Sequence, residues 1–100
     1  MLIALGPQFL NTIMRKIYKY PLQITNRQTL QLPVDAYIIH TGLDPQGKPC
    51  VWAKVNPDAP PEPINFAIYG TGHTLDEAFT NHAGSFVQGD FVWHVFYQYP

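Results

Sequence analysis

The sequence has few charged residues, a single cysteine and no long apolar run. Charged side chains make up 13% of the 100 residues and apolar ones 46%, a balance typical of a folded domain rather than a disordered chain. Cys50 alone excludes an internal disulfide and a cysteine-rich zinc site, which fits a reducing compartment. No stretch approaches the roughly 20 apolar residues that span a bilayer, and the first ten residues lack the basic start of a secretory signal. We therefore expect a soluble cytoplasmic protein without membrane association.

The formal net charge of −1 provides no overall attraction to nucleic acid. We accordingly expect no long nucleic acid as a partner. The cations are nevertheless concentrated early in the chain, where four of the six lie: Arg15, Lys16, Lys19 and Arg27. Lysines on a solvated strand edge are the favoured interpretation, and an anion-binding patch is the alternative.

Alternating polar and apolar residues, interrupted by proline and glycine, predict about six short strands. We expect hairpins between "AYIIHTG" and "CVWAKV" and around Gly89-Asp90, and a stiff loop at "NPDAPPEP". Thr74 and Glu77 have the spacing of a capping box and predict a short helix. The fold class is therefore mainly β, a small antiparallel barrel or sandwich with one short helix.

The amino-terminal segment has two possible interpretations. Apolar residues at helical spacing from Pro7 to Ile17 favour an amphipathic helix, whereas "KIYKYPLQI" from Lys16 favours a strand. We expect residues 1–13 to be an extension and residues 14–100 to form a single domain.

The last strand, Phe91 to Tyr97, is apolar or aromatic on both faces. An antiparallel strand in an isolated open sheet rarely needs two such faces. It lies either between two layers or against a partner subunit, and with so few charges on the chain we predict a homo-oligomer, most simply a dimer.

Several motifs, in order, resemble a family of short proteins found mainly in bacteriophage and prophage genomes and known only as a domain of unknown function. They are "IYKYPLQITNRQTLQLP", "PCVWAKVNPDAP", "YGTGHTL" and "FVWHVF", and the resemblance runs from about Met14 to Phe96. It implies a phage accessory protein acting in the host cytoplasm. It implies no catalytic residues.

The best candidate site is the stretch "YGTGH". Two glycines flank Thr71, so the backbone amides of Thr71, Gly72 and His73 could converge on an anion. His73 would add a side-chain donor whose charge varies near neutral pH. A plain strand-to-helix corner is the competing interpretation, and acids at Asp76 and Glu77 favour it because they would repel a second negative charge.

Aromatic and basic residues elsewhere could complete a nucleotide site, since a base stacks on a flat ring; core and subunit packing is the stronger alternative for these rings. The full candidate set for ligand binding is Lys16, Tyr18, Trp52, Lys54, Gly70, Thr71, Gly72, His73, Trp93 and His94. The histidines lack metal-ligand spacing, so we expect no metal and no cofactor. His40 and His94 are interpreted as core imidazoles that could meet across a sheet, and Cys50 as packing.

No nucleophile elbow or paired carboxylates are recognisable, so an enzyme is the least supported class. The favoured hypothesis is a phage protein that sequesters a small nucleotide-derived signal of host defence. The alternatives are a protein-interaction module that inhibits a host protein and a minor virion or assembly protein.

Overall fold

The computed structural model describes residues 14–100, which form seven antiparallel strands in two sheets. The strands are β1 (Lys16–Pro21), β2 (Gln28–Pro33), β3 (Tyr37–Leu43), β4 (Pro49–Val55), β5 (Pro61–Gly70), β6 (Asn81–Gln88) and β7 (Phe91–Gln98). The first sheet has the order β1-β4-β3 and the second β2-β5-β7-β6. The mainly β, sandwich-like prediction is confirmed, with one strand more than expected. The sheets do not close into a barrel.

The core lies between the two sheets and is built from alternate residues of the central strands. Val51, Ala53 and Val55 of β4 face Phe66 and Ile68 of β5 in one apolar cluster. β4 lies between β1 and β3 in its sheet, and β5 lies between β2 and β7 in the other, so each of these strands has a neighbour on both sides. The largest fully buried side chains are Phe66, Leu32, Ile64, Val51, Val55, Val95 and Cys50.

Both predicted hairpins are present. β3 pairs with β4, and β6 pairs with β7 around a two-residue turn in which Gln88 is opposite Phe91. In the β3–β4 connection, one carboxylate oxygen of Asp44 accepts hydrogen bonds from the amides of Gln46 and Lys48. Its other oxygen is 3.0 Å from the Lys19 amino group. The Lys48 amide first and the Lys19 ammonium second hold the pKa of the Asp44 carboxyl below its usual value.

The predicted helix at Thr74 is wrong, because residues 71–80 form two short turns and irregular structure. The Asp76 side chain accepts a bond from the amide of Ala78, two residues on, and the amide of Asp76 itself bonds the Tyr69 hydroxyl. Such a local side-chain bond competes with helix formation. Phe79 is also buried against Tyr69, which draws the segment onto the sheet.

The two other expectations about local structure have mixed outcomes. A strand from Lys16 is correct, whereas the start of the predicted amino-terminal helix and the 1–13 extension lie outside the described residues. The proline-rich stretch is only partly a loop, because β5 begins at Pro61. Its first residues pair with β2, but pairing with β7 starts only at Asn65, so the prolines lie where β5 has a neighbour on one side only.

The two apolar faces of β7 are explained within the chain. Val95 points into the core, and Phe96, on the opposite face, packs against a second cluster formed by Ala67, Tyr69 and Phe79. The turn segment that replaces the predicted helix supplies Phe79, so the chain covers part of its own outer sheet face. Within residues 14–100 there is no helix of the length and hydrophobicity needed to cross a membrane.

Candidate functional site

The turn Gly70–His73, which we call the GTGH turn, follows directly from the end of β5. Its ends are joined twice: the His73 amide donates to the Gly70 carbonyl at 3.0 Å, and the Gly70 amide donates to His73 Nδ1, also at 3.0 Å. The imidazole folds back so closely that a Cβ on Gly70 would lie 2.9 Å from the ring. Gly72 has a φ of 92°, which disfavours any other residue. Glycine is therefore needed at position 70 for space and at position 72 for the backbone conformation.

The three amides proposed as an anion cradle do not converge. The Thr71 amide donates to the Val92 carbonyl at 3.3 Å, and the His73 amide is used inside the turn. Two of the three donors are thus already engaged, and an anion at this turn has to be held by side chains. The nearby acids are also a weaker argument against an anion at this turn, because residues 71–80 form no helix and Asp76 forms an ion pair with Arg27.

His73 has a defined hydrogen-bonding role. Since its Nδ1 accepts the Gly70 amide, that nitrogen carries no proton and Nε2 carries one. The ring also lies edge-on to Trp93, with a centroid distance of 6.5 Å. The geometry therefore leaves the Nε2–H of His73 available as a hydrogen-bond donor.

On the outer face of the β6–β7 hairpin, four side chains form a continuous line of hydrogen bonds, which we call the hydroxyl–imidazole chain. Thr71 Oγ1 is 2.8 Å from His94 Nε2, and His94 Nδ1 is 2.7 Å from Ser85 Oγ. Ser85 Oγ is in turn 3.2 Å from His82 Nε2. A hydroxyl both donates and accepts, so every bond can be satisfied in either direction along the chain.

Strand register explains why these residues meet. The tight turn at Gly89-Asp90 places Ser85 opposite His94. A bulge between His82 and Gly84 then shifts the pairing by one residue, so that His82 is opposite Phe96 instead of Tyr97. Because alternate residues face opposite sides of a sheet, the bulge moves His82 to the outer face, where Ser85 and His94 also lie.

Three concave regions surround the GTGH turn. The first, which we call the Thr71 pocket, has a volume of about 210 Å³ and is bounded by Thr71, His94, Tyr69 and Phe96. The second, the aromatic cleft, has about 380 Å³ and is lined by the turn and by Asp90, Phe91 and Trp93. The third has about 450 Å³ and includes Asn26, Arg27, His73 and Thr74. His73 borders all three regions.

The structure brings together six of the ten predicted site residues: Gly70, Thr71, Gly72, His73, Trp93 and His94. The other four, Lys16, Tyr18, Trp52 and Lys54, belong to β1 and β4 of the other sheet. On β4 the buried residues Val51, Ala53 and Val55 face the core, so Trp52 and Lys54 face away from it. Those two therefore lie on the outer face of the β1-β4-β3 sheet and cannot share a pocket with the turn.

Of the remaining predictions, the one for His40 is wrong and the one for Cys50 is confirmed. His40 is exposed on β3 and packs on Trp52 at a centroid distance of 5.3 Å. It is not a core residue, and it does not meet His94, which lies in the other sheet. Cys50 is buried, as expected for packing, and burial first and the Asp44 charge second raise the pKa of its thiol. Among residues 14–100, no group of three or more His, Cys, Asp or Glu could hold a metal ion.

The sequence interpretation missed Ser85, His82, Asp90, Phe91 and Arg27 as neighbours of the turn. For Ser85 a signal was present, because the predicted two-residue hairpin already implies that it is opposite His94. His82 could not be found in this way, since its position depends on the bulge. Arg27 reaches the turn through its pairing with Asp76, 49 residues away in sequence, which no local pattern encodes.

Comparison with known proteins adds family membership. No curated protein and no solved structure matches the chain. Residues 14–100 match the model of one protein family, so the match covers all the strands described above and the GTGH turn. The chain therefore belongs to the family described as "Domain of unknown function (DUF7352)".

Proposed function

We propose that this protein binds a small nucleotide-derived molecule at the GTGH turn without transforming it, and that it serves as a phage accessory protein that sequesters a signal of host defence. The observation that carries the proposal is the pairing of the Thr71 hydroxyl with His94 at 2.8 Å in the wall of the Thr71 pocket. An exposed hydroxyl held by an imidazole is a positioned polar group, which is what a small-ligand site needs to fix orientation.

The hydroxyl–imidazole chain allows the Thr71 hydroxyl to act toward a ligand either as a hydrogen-bond donor or as an acceptor. If His82 donates to Ser85, and Ser85 to His94, then His94 Nε2 donates to Thr71 and the Thr71 proton is free for a ligand acceptor. If the direction reverses, Thr71 donates to His94 and its lone pairs face the ligand. An anionic ligand favours the first direction, because the Thr71 proton is then available to donate to it.

A positive charge that could bind a phosphate group is provided by Arg27, in the third concave region beside the turn. Arg27 contacts Asp76 through one nitrogen and lies over the Phe79 ring at 5.2 Å. A guanidinium has five N–H donors, so the ion pair leaves others unoccupied. The His73 side chain borders the same pocket. A ligand that spans the turn can therefore meet a cation on one side and the Thr71 hydroxyl on the other.

A phage accessory role rests on the resemblance described above, and the choice of a nucleotide rests on the chemistry around the turn. Rings at Tyr69, Phe96, Phe91 and Trp93 lie within the pockets that also contain the polar groups. Aromatic stacking contributes about 1 to 3 kcal/mol per base. A nucleotide joins a flat ring to an anion, and both features have counterparts here.

Calorimetric titration of the protein with cyclic dinucleotides, cyclic oligonucleotides and cyclic ADP-ribose isomers tests the proposal. We expect at least one of these classes to bind with measurable heat and to raise the melting temperature. The absence of heat and of any melting shift across the whole panel would remove the proposed function.

A protein-interaction module is the second candidate, favoured by the outer face of the β1-β4-β3 sheet. Ile17 and Tyr37, which are 62% and 65% exposed, flank Lys54 there. Trp52 and His40 lie beside them. Aromatic side chains such as Tyr37 and Trp52 are enriched in protein contact surfaces. A host protein recovered in stoichiometric amount by the wild type but not by Tyr37→Glu would favour this candidate.

A further inference from the structure

We propose that the aromatic cleft is a guanine subsite, in which Phe91 stacks on the base and Asp90 accepts hydrogen bonds from its Watson–Crick edge. This inference rests on the proposed nucleotide-binding function and specifies which base the ligand carries. It assigns a role to two residues of the β6–β7 hairpin that neither the turn nor the hydroxyl–imidazole chain uses.

The aromatic wall of the cleft is preformed. Phe91 is stacked on Trp93 with a centroid distance of 5.6 Å and an interplanar angle of 25°. Phe91 nevertheless remains 63% exposed. A ring that is held by a second ring and still open on its other side offers a rigid platform for a planar ligand. The cavity of about 380 Å³ is lined more by apolar than by polar surface, as a base subsite should be.

Two polar groups border this cavity and have opposite hydrogen-bonding character. Asp90, at the tip of the hairpin, is an acceptor with two oxygens. His73, on the turn, is a donor through Nε2, because its Nδ1 is occupied by the Gly70 amide. The cleft therefore offers a carboxylate and one N–H group around a flat apolar wall.

Guanine complements this arrangement better than adenine does. Its Watson–Crick edge has two adjacent donors, N1–H and the N2 amino group, which a carboxylate can bind with both oxygens, and O6 is an acceptor for His73 Nε2–H. Adenine presents the N6 amino group beside the lone pair of N1, so the second oxygen of Asp90 would face a repulsive partner. Each bidentate contact of this kind discriminates between bases by roughly tenfold to a hundredfold.

The test is calorimetric titration with GMP, AMP and XMP of the wild type and of Asp90→Asn, with Asp58→Asn as the matched control because Asp58 is an exposed loop acid outside the cleft. We expect the wild type to bind GMP about tenfold or more tightly than AMP. Xanthine has a carbonyl where guanine has its amino group, so Asp90→Asn should lose affinity for GMP and gain affinity for XMP. Asp58→Asn should behave as the wild type.

The failure of this inference differs from the failure of the proposed function. Equal affinities for GMP and AMP, unchanged in Asp90→Asn, would overturn the guanine subsite while leaving nucleotide binding in place. Phe91→Ala provides a second measurement: it should weaken all three nucleotides, because stacking does not depend on base identity, and an unchanged affinity would contradict the cleft. If none of the three nucleotides and none of the cyclic ligands binds, both the subsite and the proposed function are overturned.

Discussion

The hydroxyl of Thr41 on β3 donates a hydrogen bond to the carbonyl oxygen of Ala83, the bulge residue of β6, at 2.9 Å. This bond joins the two sheets at one edge and anchors the bulge that turns His82 outward. A Cβ at the adjacent Gly84 would lie only 2.8 Å from the Thr41 Cβ. The position of His82 in the hydroxyl–imidazole chain therefore depends on a contact from the opposite sheet.

Gly84→Ala should destabilise the protein, by about 1 to 3 kcal/mol, because the new methyl group overlaps Thr41. Urea unfolding followed by tryptophan fluorescence measures the change. Combining the substitution with Thr41→Gly removes all three Thr41 atoms that the methyl group meets, so the double variant should lose less stability than the two single variants together. Strictly additive losses would contradict a direct contact between the two residues.

Ser85→Ala should interrupt the hydroxyl–imidazole chain without unfolding the domain, because the Ser85 side chain is exposed. His94 then keeps only Thr71 as a hydrogen-bond partner, and His82 loses its hydrogen bond while it still packs on Phe96. Nitrogen NMR of the imidazoles should show altered tautomer populations for His94 and His82 and unchanged signals for His40. Identical spectra for the wild type and Ser85→Ala would mean that the chain does not exist in solution.

Acid sensitivity should be associated with Asp44. Its folded-state pKa is lowered, so the stabilisation that its charge provides is present above the unfolded-state value of about 4 and is lost as the pH falls through the folded-state value. Asp44→Asn should therefore unfold at lower urea concentration than the wild type at neutral pH, and the difference should shrink below about pH 4. Asp58→Asn serves as the exposed control. A difference that is constant with pH would contradict the assignment.

Self-association remains a prediction, and the structure changes the surface on which it is expected. Phe96 is partly covered by Phe79, so the middle of β7 no longer requires a partner. The outer face of the hairpin tip still exposes Val87 and Val92, which are opposite each other, at 63% and 38%. We expect a dimer by light scattering at micromolar concentration, converted to a monomer by Val87→Lys. A monomeric wild type would remove this prediction.

The sequence predicted the strands and their hairpins well because their signals are local. Alternation and turn residues sufficed for β3, β4, β6 and β7, and a two-residue turn also determines which residues are opposite each other. The predicted helix at Thr74 failed because a tertiary contact, the burial of Phe79 on the β2-β5-β7-β6 sheet, outweighed the local helix signal.

Only part of the candidate site could be predicted from the sequence. The GTGH turn was recognisable from its glycines, and His94 belongs to a predicted strand. Trp52 and Lys54 were grouped with them by residue type, although strand alternation on β4 directs both to the far side of the other sheet. Neither the sheet to which a strand belongs nor the direction of a bulge is encoded in a local pattern, so His82 and Arg27 could be found only from the structure.

The most direct measurement of the central claim compares Thr71→Val with Thr80→Val in calorimetric titrations against whichever nucleotide of the panel binds most tightly. Both substitutions replace an exposed threonine hydroxyl by a methyl group, but only Thr71 contacts His94 and borders the Thr71 pocket. The account predicts that Thr71→Val weakens binding by about tenfold, the effect of losing one hydrogen bond of roughly 1 to 1.5 kcal/mol, and that Thr80→Val binds as the wild type. Equal affinities for the wild type and both variants would contradict a ligand site at the GTGH turn.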